Sequence, residues 1–103
     1  MDLLQRLLAI DVSALSDADK TLPVADAAVR AMVPDVRMAG PAYTVVAKDD
    51  HLPVMTALAE AAPGDVLVVA THGGTRAVFG ELFATEARRR TRRRFALLRP
   101  RFA

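Results

Sequence analysis

The residues best suited to chemistry are a glycine-containing loop and the helix start that follows it. Thr71–Thr75 reads Thr-His-Gly-Gly-Thr, and a helical segment then opens with Gly80, Glu81, Leu82 and Phe83. The first N–H groups of a helix lack intrahelical acceptors and carry partial positive charge, which suits a carboxylate or phosphate. Glu81 could also hold a metal ion or its water shell. A glycine turn followed by a helix-stabilising acid explains the same residues, so both interpretations stay open.

The other polar candidates favour structural roles. His51 and His72 are the only histidines and the chain has no cysteine, so their pattern is poor support for a zinc site. Asp49 and Asp50 precede a helical segment, and N-capping explains them more simply than metal binding does. The sequence also lacks the Gly-x-Ser-x-Gly motif, which disfavours a serine hydrolase.

Alternating helical and strand-like segments must position these residues. Apolar spacing, capping residues and prolines predict helices over Asp2–Ala9, from about Ser13 to before Pro23, over Val24–Met32, over Leu52–Ala62 and over Gly80–Arg90. β-Branched and apolar runs predict strands at Tyr43–Val46 and Val66–Ala70, the second buried on both faces. This order predicts an α/β domain.

Composition favours a single small domain with a real core. The chain has 103 residues, of which 52% are apolar, and the absence of cysteine excludes disulfides. Neither a secretory signal nor a long apolar run is visible, so we expect a cytoplasmic protein without a membrane partner.

Charge is unevenly distributed although the net charge is only +2. The last acidic residue is Glu86, and eight arginines follow from Arg88 onward. Such a block is compatible with a nucleic-acid or membrane-surface partner or with a solvated or aberrant terminus. Phe95 and Phe102 are too few for a base-stacking platform, so we do not expect nucleic-acid binding.

Four segments in order resemble the RraA-like family. They are SALSDA at Ser13–Ala18, MAGPAYTV at Met38–Val45, PGDVLVV at Pro63–Val69 and GGTRAVFGEL at Gly73–Leu82. The family contains class II 4-hydroxy-4-methyl-2-oxoglutarate aldolases, oxaloacetate decarboxylases and the regulator of ribonuclease E activity. The resemblance implies a swivelling β/β/α domain over residues 1–90, assembled as a homo-oligomer, commonly a trimer or hexamer.

The resemblance also implies a site and a cofactor. Glu81 matches the family's acidic residue that holds a divalent cation, Mg²⁺ or Mn²⁺, through water, which would make it catalytic. Gly80, Glu81, Leu82 and Phe83 match the segment that binds the carboxylate of a small 2-keto acid. Pyruvate would be the product of cleavage.

The sequence departs from the family pattern near its end. The aldolases carry Arg-Asp after twenty residues that follow the acid, and Phe102 and Ala103 stand at those positions here. We therefore expect impaired catalysis and a domain incomplete at its C-terminus, with residues 91–103 forming an atypical basic tail. We hypothesise that the residues from about Thr91 onward are the product of a frameshift. The alternative function is a non-catalytic, protein-binding regulator of the ribonuclease-inhibitor type.

Overall fold

A two-stranded parallel sheet with helices around it forms the centre of the protein. The computed structural model describes residues 2–25, 27 and 29–91. Its elements are α1 (Leu3–Leu8), α2 (Val12–Ala18), β1 (Ala42–Val46), α3 (Leu52–Glu60), β2 (Val66–Ala70) and α4 (Glu81–Thr91). The predicted α/β class is confirmed, and the tail from Arg92 lies outside the described residues.

β1 and β2 pair in parallel, and α3 forms the crossover between them. The register sets Ala42 opposite Val66 and Val46 opposite Ala70. The pairing extends one residue further, because the Ala47 N–H donates to the Ala70 carbonyl at 2.9 Å. Both strands therefore end at the same edge of the sheet, and the loops after them meet there.

The core lies between the sheet and the two later helices. One face of β2 is fully buried, with Leu67 and Val69 completely inaccessible. On the other face Val66 is buried but Val68 and Ala70 are only partly so, which makes the predicted burial on both faces incomplete. The cluster that surrounds them contains Val45, Ala47, Val54, Ala57, Leu58, Val78 and Ala87. Because these residues come from β1, α3, β2, the following loop and α4, the core links every element that borders the strand ends.

The N-terminal helices contribute no buried side chain. Asp2 caps α1 as predicted, and Gln5 completes a reciprocal capping box that the sequence analysis did not identify. The Arg37 guanidinium donates to the Leu8 carbonyl at 2.9 Å and pairs with the Asp11 carboxylate. Polar contacts thus connect α1 and α2 to the segment that leads into β1.

The helix predicted over Val24–Met32 is wrong for the residues described there, which are turn or irregular. Val24 is 76% exposed and Met32 is 89% exposed, so an apolar helix face would have nothing to pack against. A helix this short between Pro23 and Pro34 is marginal without tertiary contacts.

A close approach of two backbone segments requires glycine at position 40. A Cβ on Gly40 would lie 2.2 Å from the Gly64 carbonyl oxygen. Just beyond, the Val66 N–H donates to the Pro41 carbonyl at 2.7 Å. The Gly-Pro pair before β1 is therefore part of the strand pairing as well as a turn signal. No helix among the described residues has the length and apolarity needed to cross a membrane.

Candidate functional site: a groove at the start of α4

All four predicted site residues line one shallow groove. Gly80, Glu81, Leu82 and Phe83 border it together with the preceding residues 77–79 and with His51, and its volume is about 390 Å³. The groove lies beside the first turn of α4, where the sequence analysis expected an anion. The four predicted residues are consecutive in the chain, and the fold adds His51 from a distant loop to the same groove.

Core packing fixes the start of α4. Ala87 is buried and Phe83, one turn earlier on the same face, packs against the core, while Val78 anchors the loop before the helix. The Ala84 N–H donates to the Gly80 carbonyl at 3.0 Å, which is the first hydrogen bond of the helix. The N–H groups that precede Ala84 have no acceptor within the helix, so they are available to a ligand in the groove.

Glu81 lies in the first turn of α4 and is exposed. A carboxylate there interacts favourably with the positive end of the helix dipole. The same negative charge lies beside the groove, where it weakens the attraction of the helix terminus for an anion. Gly80 has open space where a side chain would be, since a Cβ there would meet no atom within 4 Å.

The opposite side of the groove comes from the β1–α3 loop. The imidazole of His51 contacts the ring of Phe83, with centroids 5.8 Å apart and planes inclined at 52°. Phe83 in turn meets the Phe79 ring edge-on at 6.0 Å. The groove is therefore an aromatic surface with a helix N-terminus on one side and an imidazole on the other.

Asp49 connects the two loops that form the groove. Its Oδ1 accepts the backbone N–H groups of Thr75 at 2.7 Å and Arg76 at 2.8 Å. The pKa of Asp49 is lowered, and the largest cause is the hydrogen bond from the Arg76 backbone. Desolvation acts in the opposite direction. The hydrogen bond from the Thr75 backbone and the charges of Arg76 and Lys48 lower the pKa further. The N-cap predicted at Asp49 or Asp50 is wrong, because the N-cap of α3 is His51, which makes no side-chain capping bond. Asp50, one residue earlier, accepts the Leu52 N–H through its Oδ1 at 2.9 Å.

The glycine loop turns sharply after β2. His72 and Gly73 both have positive φ, at 47° and 74°, and the Gly74 N–H donates to the Thr71 carbonyl at 2.9 Å. A left-handed pair of this kind explains why glycine is placed in the loop. His72 is a loop histidine, as expected, and does not line the groove.

The described residues do not by themselves fit a divalent metal site. Glu81 is the one carboxylate among the residues that line the groove. Within the part of the chain that the structure describes, no group of three His, Cys, Asp or Glu side chains could hold a metal ion. Mg²⁺ prefers several hard oxygen ligands in octahedral geometry. The water-mediated role of Glu81 therefore stays a prediction.

Comparison with known proteins identifies the class of this α/β domain. Residues 12–93 match the family model described as RraA-like: Aldolase/RraA. A curated protein from Halalkalibacterium halodurans, named "Putative 4-hydroxy-4-methyl-2-oxoglutarate aldolase", is 35% identical over 83 residues, which are 79% of this chain. The chain spans 40% of the length of that relative. No solved structure matches the chain significantly.

The chain belongs to the RraA-like family, as its four ordered motifs predict. That membership relates it to aldolases and decarboxylases of this family. The matched residues include β1, β2, the glycine loop and α4, so the α/β fold is consistent with membership of this family.

Two residues of the groove region were not identified by sequence reasoning. His51 was interpreted as a surface or loop histidine, and Asp49 as a helix cap. The signal that could have found them is their position, because both follow β1 and the carboxyl ends of parallel strands share one edge of the sheet. Recognising this requires that the pairing of β1 with β2 be known first.

Proposed function

We propose that this chain carries the carboxylate-binding part of an RraA-like 2-keto acid aldolase or decarboxylase site. The observation that supports it most is that the first turn of α4, residues 80–83, lines one groove together with His51 from a distant loop. The keto-carboxylate group of a 2-keto acid is flat and anionic, which suits a helix N-terminus beside aromatic rings.

The proposed binding mode predicts modest affinity. A helix N-terminus contributes about 0.3–1 kcal/mol to the binding of an anion at an exposed position. Contacts with Phe79 and Phe83 add apolar area, whereas the charge of Glu81 opposes the anion. We therefore expect a dissociation constant for pyruvate on the order of 1–10 mM, equivalent to roughly −3 to −4 kcal/mol.

The substrate class follows from the family and from the name of the relative. We propose 4-hydroxy-4-methyl-2-oxoglutarate and oxaloacetate as the compounds to test, since cleavage of either gives pyruvate. Both reactions pass through a pyruvate enolate, whose developing charge needs electrostatic stabilisation from cationic groups or a metal ion.

We propose further that turnover by this chain is weak. The described residues supply one carboxylate to the groove and no metal-binding group of three. Phe102 and Ala103 stand where the family's aldolases carry Arg-Asp. Within the family's swivelling β/β/α fold, residues 1–90 would then bind a keto acid without efficiently stabilising the enolate, and residues 91–103 would be a basic tail.

Titration of pyruvate into ¹⁵N-labelled protein tests the proposed binding. The backbone amide signals of Gly80–Phe83 are expected to shift together and to saturate in the millimolar range. Acetate provides a control for general anion binding, because it lacks the keto group and should bind more weakly. Shifts confined to the arginines after Glu86, or no saturating shift, would contradict the proposal.

A further inference from the structure

We infer that Asp49 is a positioning residue that holds the two walls of the groove together. One wall carries His51 and belongs to the β1–α3 loop, and the other belongs to the β2–α4 loop and the first turn of α4. These segments are far apart in sequence. What the groove binds rests on the proposed function, but the connection between its walls is independent of it.

A single carboxylate oxygen makes the connection. Oδ1 of Asp49 accepts two backbone N–H groups from the opposite loop, those of Thr75 and Arg76, at 2.7 and 2.8 Å. Hydrogen bonds that involve an ionised acceptor are stronger than those between neutral groups. Two donors on one oxygen therefore fix the path of the loop that leads into residues 77–83.

Backbone packing supports the same connection. A Cβ on Gly74 would lie 3.0 Å from Asp49 Oδ1 and 3.1 Å from the Asp49 nitrogen. The two loops thus approach so closely that glycine alone fits at position 74 without displacement. Asp49 therefore contacts three consecutive residues of the opposite loop.

The conformation of Asp49 is unusual for a residue with a side chain. Its φ is 53°, in the left-handed region that most residues with a side chain avoid. Helix capping does not account for this, because the N-cap of α3 is His51, two residues further on. The hydrogen bonds to the opposite loop compensate for the backbone strain, as is common for strained residues at functional sites.

The consequence concerns the distance between His51 and Phe83. Asp49 is two residues before His51, and Arg76 directly precedes the residues that line the groove. Loss of the carboxylate would release the β2–α4 loop from the β1–α3 loop and so separate the imidazole from the Phe83 ring. Binding at the start of α4 would weaken even though no residue that lines the groove had changed.

Three substitutions distinguish the effect of losing the Asp49 contact from a general loss of stability. Asp49→Asn keeps an oxygen acceptor and suits the left-handed conformation. Asp49→Gly keeps the backbone conformation but removes the acceptor. Asp65→Ala is the matched control, because Asp65 Oδ2 also accepts a backbone N–H, that of Ala62 at 2.9 Å, at the other end of β2.

The readouts are amide exchange at Thr75 and Arg76 and the nuclear Overhauser contact between the His51 and Phe83 rings, both measured without ligand. In D49G we expect exchange at the two amides to accelerate about tenfold or more, since these hydrogen bonds no longer protect them, and the ring contact to disappear. In D49N and D65A we expect both readouts to stay close to those of the wild type.

Pyruvate affinity completes the experiment. We expect D49G to bind about fivefold more weakly than wild type, the effect of losing the aligned helix terminus, and D49N to restore binding. If D49G does not fold, Gly74→Ala replaces it, because the added methyl displaces the loop with Asp49 intact. An unchanged ring contact and unchanged exchange in D49G or G74A would overturn the inference. If the ring contact is lost in D49G or G74A but the wild type does not bind pyruvate, the inference about Asp49 holds and only the proposed function is rejected.

Discussion

The phenolic hydroxyl of Tyr43 donates a 2.7 Å hydrogen bond to Oε2 of Glu60 and so joins β1 to the last turn of α3. This hydrogen bond is the largest cause that raises the pKa of Tyr43 above its ordinary value of 10.0; desolvation and the charges of Glu60 and Asp65 act in the same direction. The bond connects the start of β1 to the helix that crosses over to β2, at the opposite end of the sheet from the groove.

The ionisation of Tyr43 can be followed directly, because it is the only tyrosine and the chain has no tryptophan. We expect ultraviolet absorbance to show phenolate formation above the ordinary pKa of tyrosine. Since the folded pKa is raised, the stabilisation is present below the unfolded pKa and is lost as pH rises through the folded value. Glu60→Gln should lower the pKa of Tyr43 towards its ordinary value, and an identical titration curve in E60Q would show that Glu60 does not perturb it.

Gly40→Ala should strongly destabilise the fold. The new methyl would lie 2.2 Å from the Gly64 carbonyl, and neither backbone can move without disturbing the pairing of β1 with β2. Overpacking of this kind costs about 1–3 kcal/mol, and we expect the upper end of that range. Gly80→Ala is the matched control, since its Cβ would meet no atom within 4 Å, and should change the free energy of unfolding by less than about 1 kcal/mol. Urea denaturation measures both, and equal effects would contradict the close approach.

Acid should remove the contribution of the Asp49 carboxylate. Hydrogen bonds from the Arg76 and Thr75 backbones hold the pKa of Asp49 below its ordinary value of 3.8. A depressed folded pKa gives stability that is present above the unfolded pKa and lost as pH falls through the folded pKa. The melting temperature of the wild type should therefore exceed that of D49N at about pH 6, and the gap should narrow at about pH 3. Asp19, whose pKa is also lowered by Thr21, is common to both proteins and cancels. A gap that is constant with pH would contradict the ionised contact.

Glu81→Gln should strengthen pyruvate binding in metal-free buffer. The substitution removes a negative charge beside the groove, and interactions between exposed charges are worth about 0.2–1 kcal/mol, which corresponds to an increase of up to about fivefold. Glu86→Gln is the control on the same helix, since Glu86 pairs with Arg89 and does not line the groove. Weaker binding by E81Q without metal would contradict the proposed mode, in which the charge of Glu81 opposes the anion.

Local sequence patterns predicted the helices and strands correctly where those segments pack against the core. The continuous run at Val66–Ala70 forms a strand with no exposed residue, and the helix expected over Leu52–Ala62 ends two residues earlier, at Glu60. The segment from Val24 to Met32 has similar helical composition but no core to pack against. Propensity alone could not distinguish these two cases, because the difference is one of tertiary contact.

The site was predictable on one side only. The helix start at Glu81 is recognisable from sequence and from family resemblance, since its residues are contiguous. His51 and Asp49 face it only because β1 and β2 pair in parallel and end at the same edge of the sheet. The bond from Thr75 to Asp49 spans 26 positions, and no local pattern encodes a contact over that separation.

The most direct test of the proposed function is pyruvate release from 4-hydroxy-4-methyl-2-oxoglutarate and from oxaloacetate, with and without Mg²⁺ or Mn²⁺. The sample must first show the pyruvate-dependent shifts at Gly80–Phe83, so that a folded, binding-competent protein is assayed. We expect release to stay at the background rate in all conditions, because in the proposed mode the described residues bind a keto acid without completing a metal site. Metal-dependent release that E81Q abolishes and E86Q retains would contradict this expectation and would establish the chain as a metal-dependent aldolase or decarboxylase.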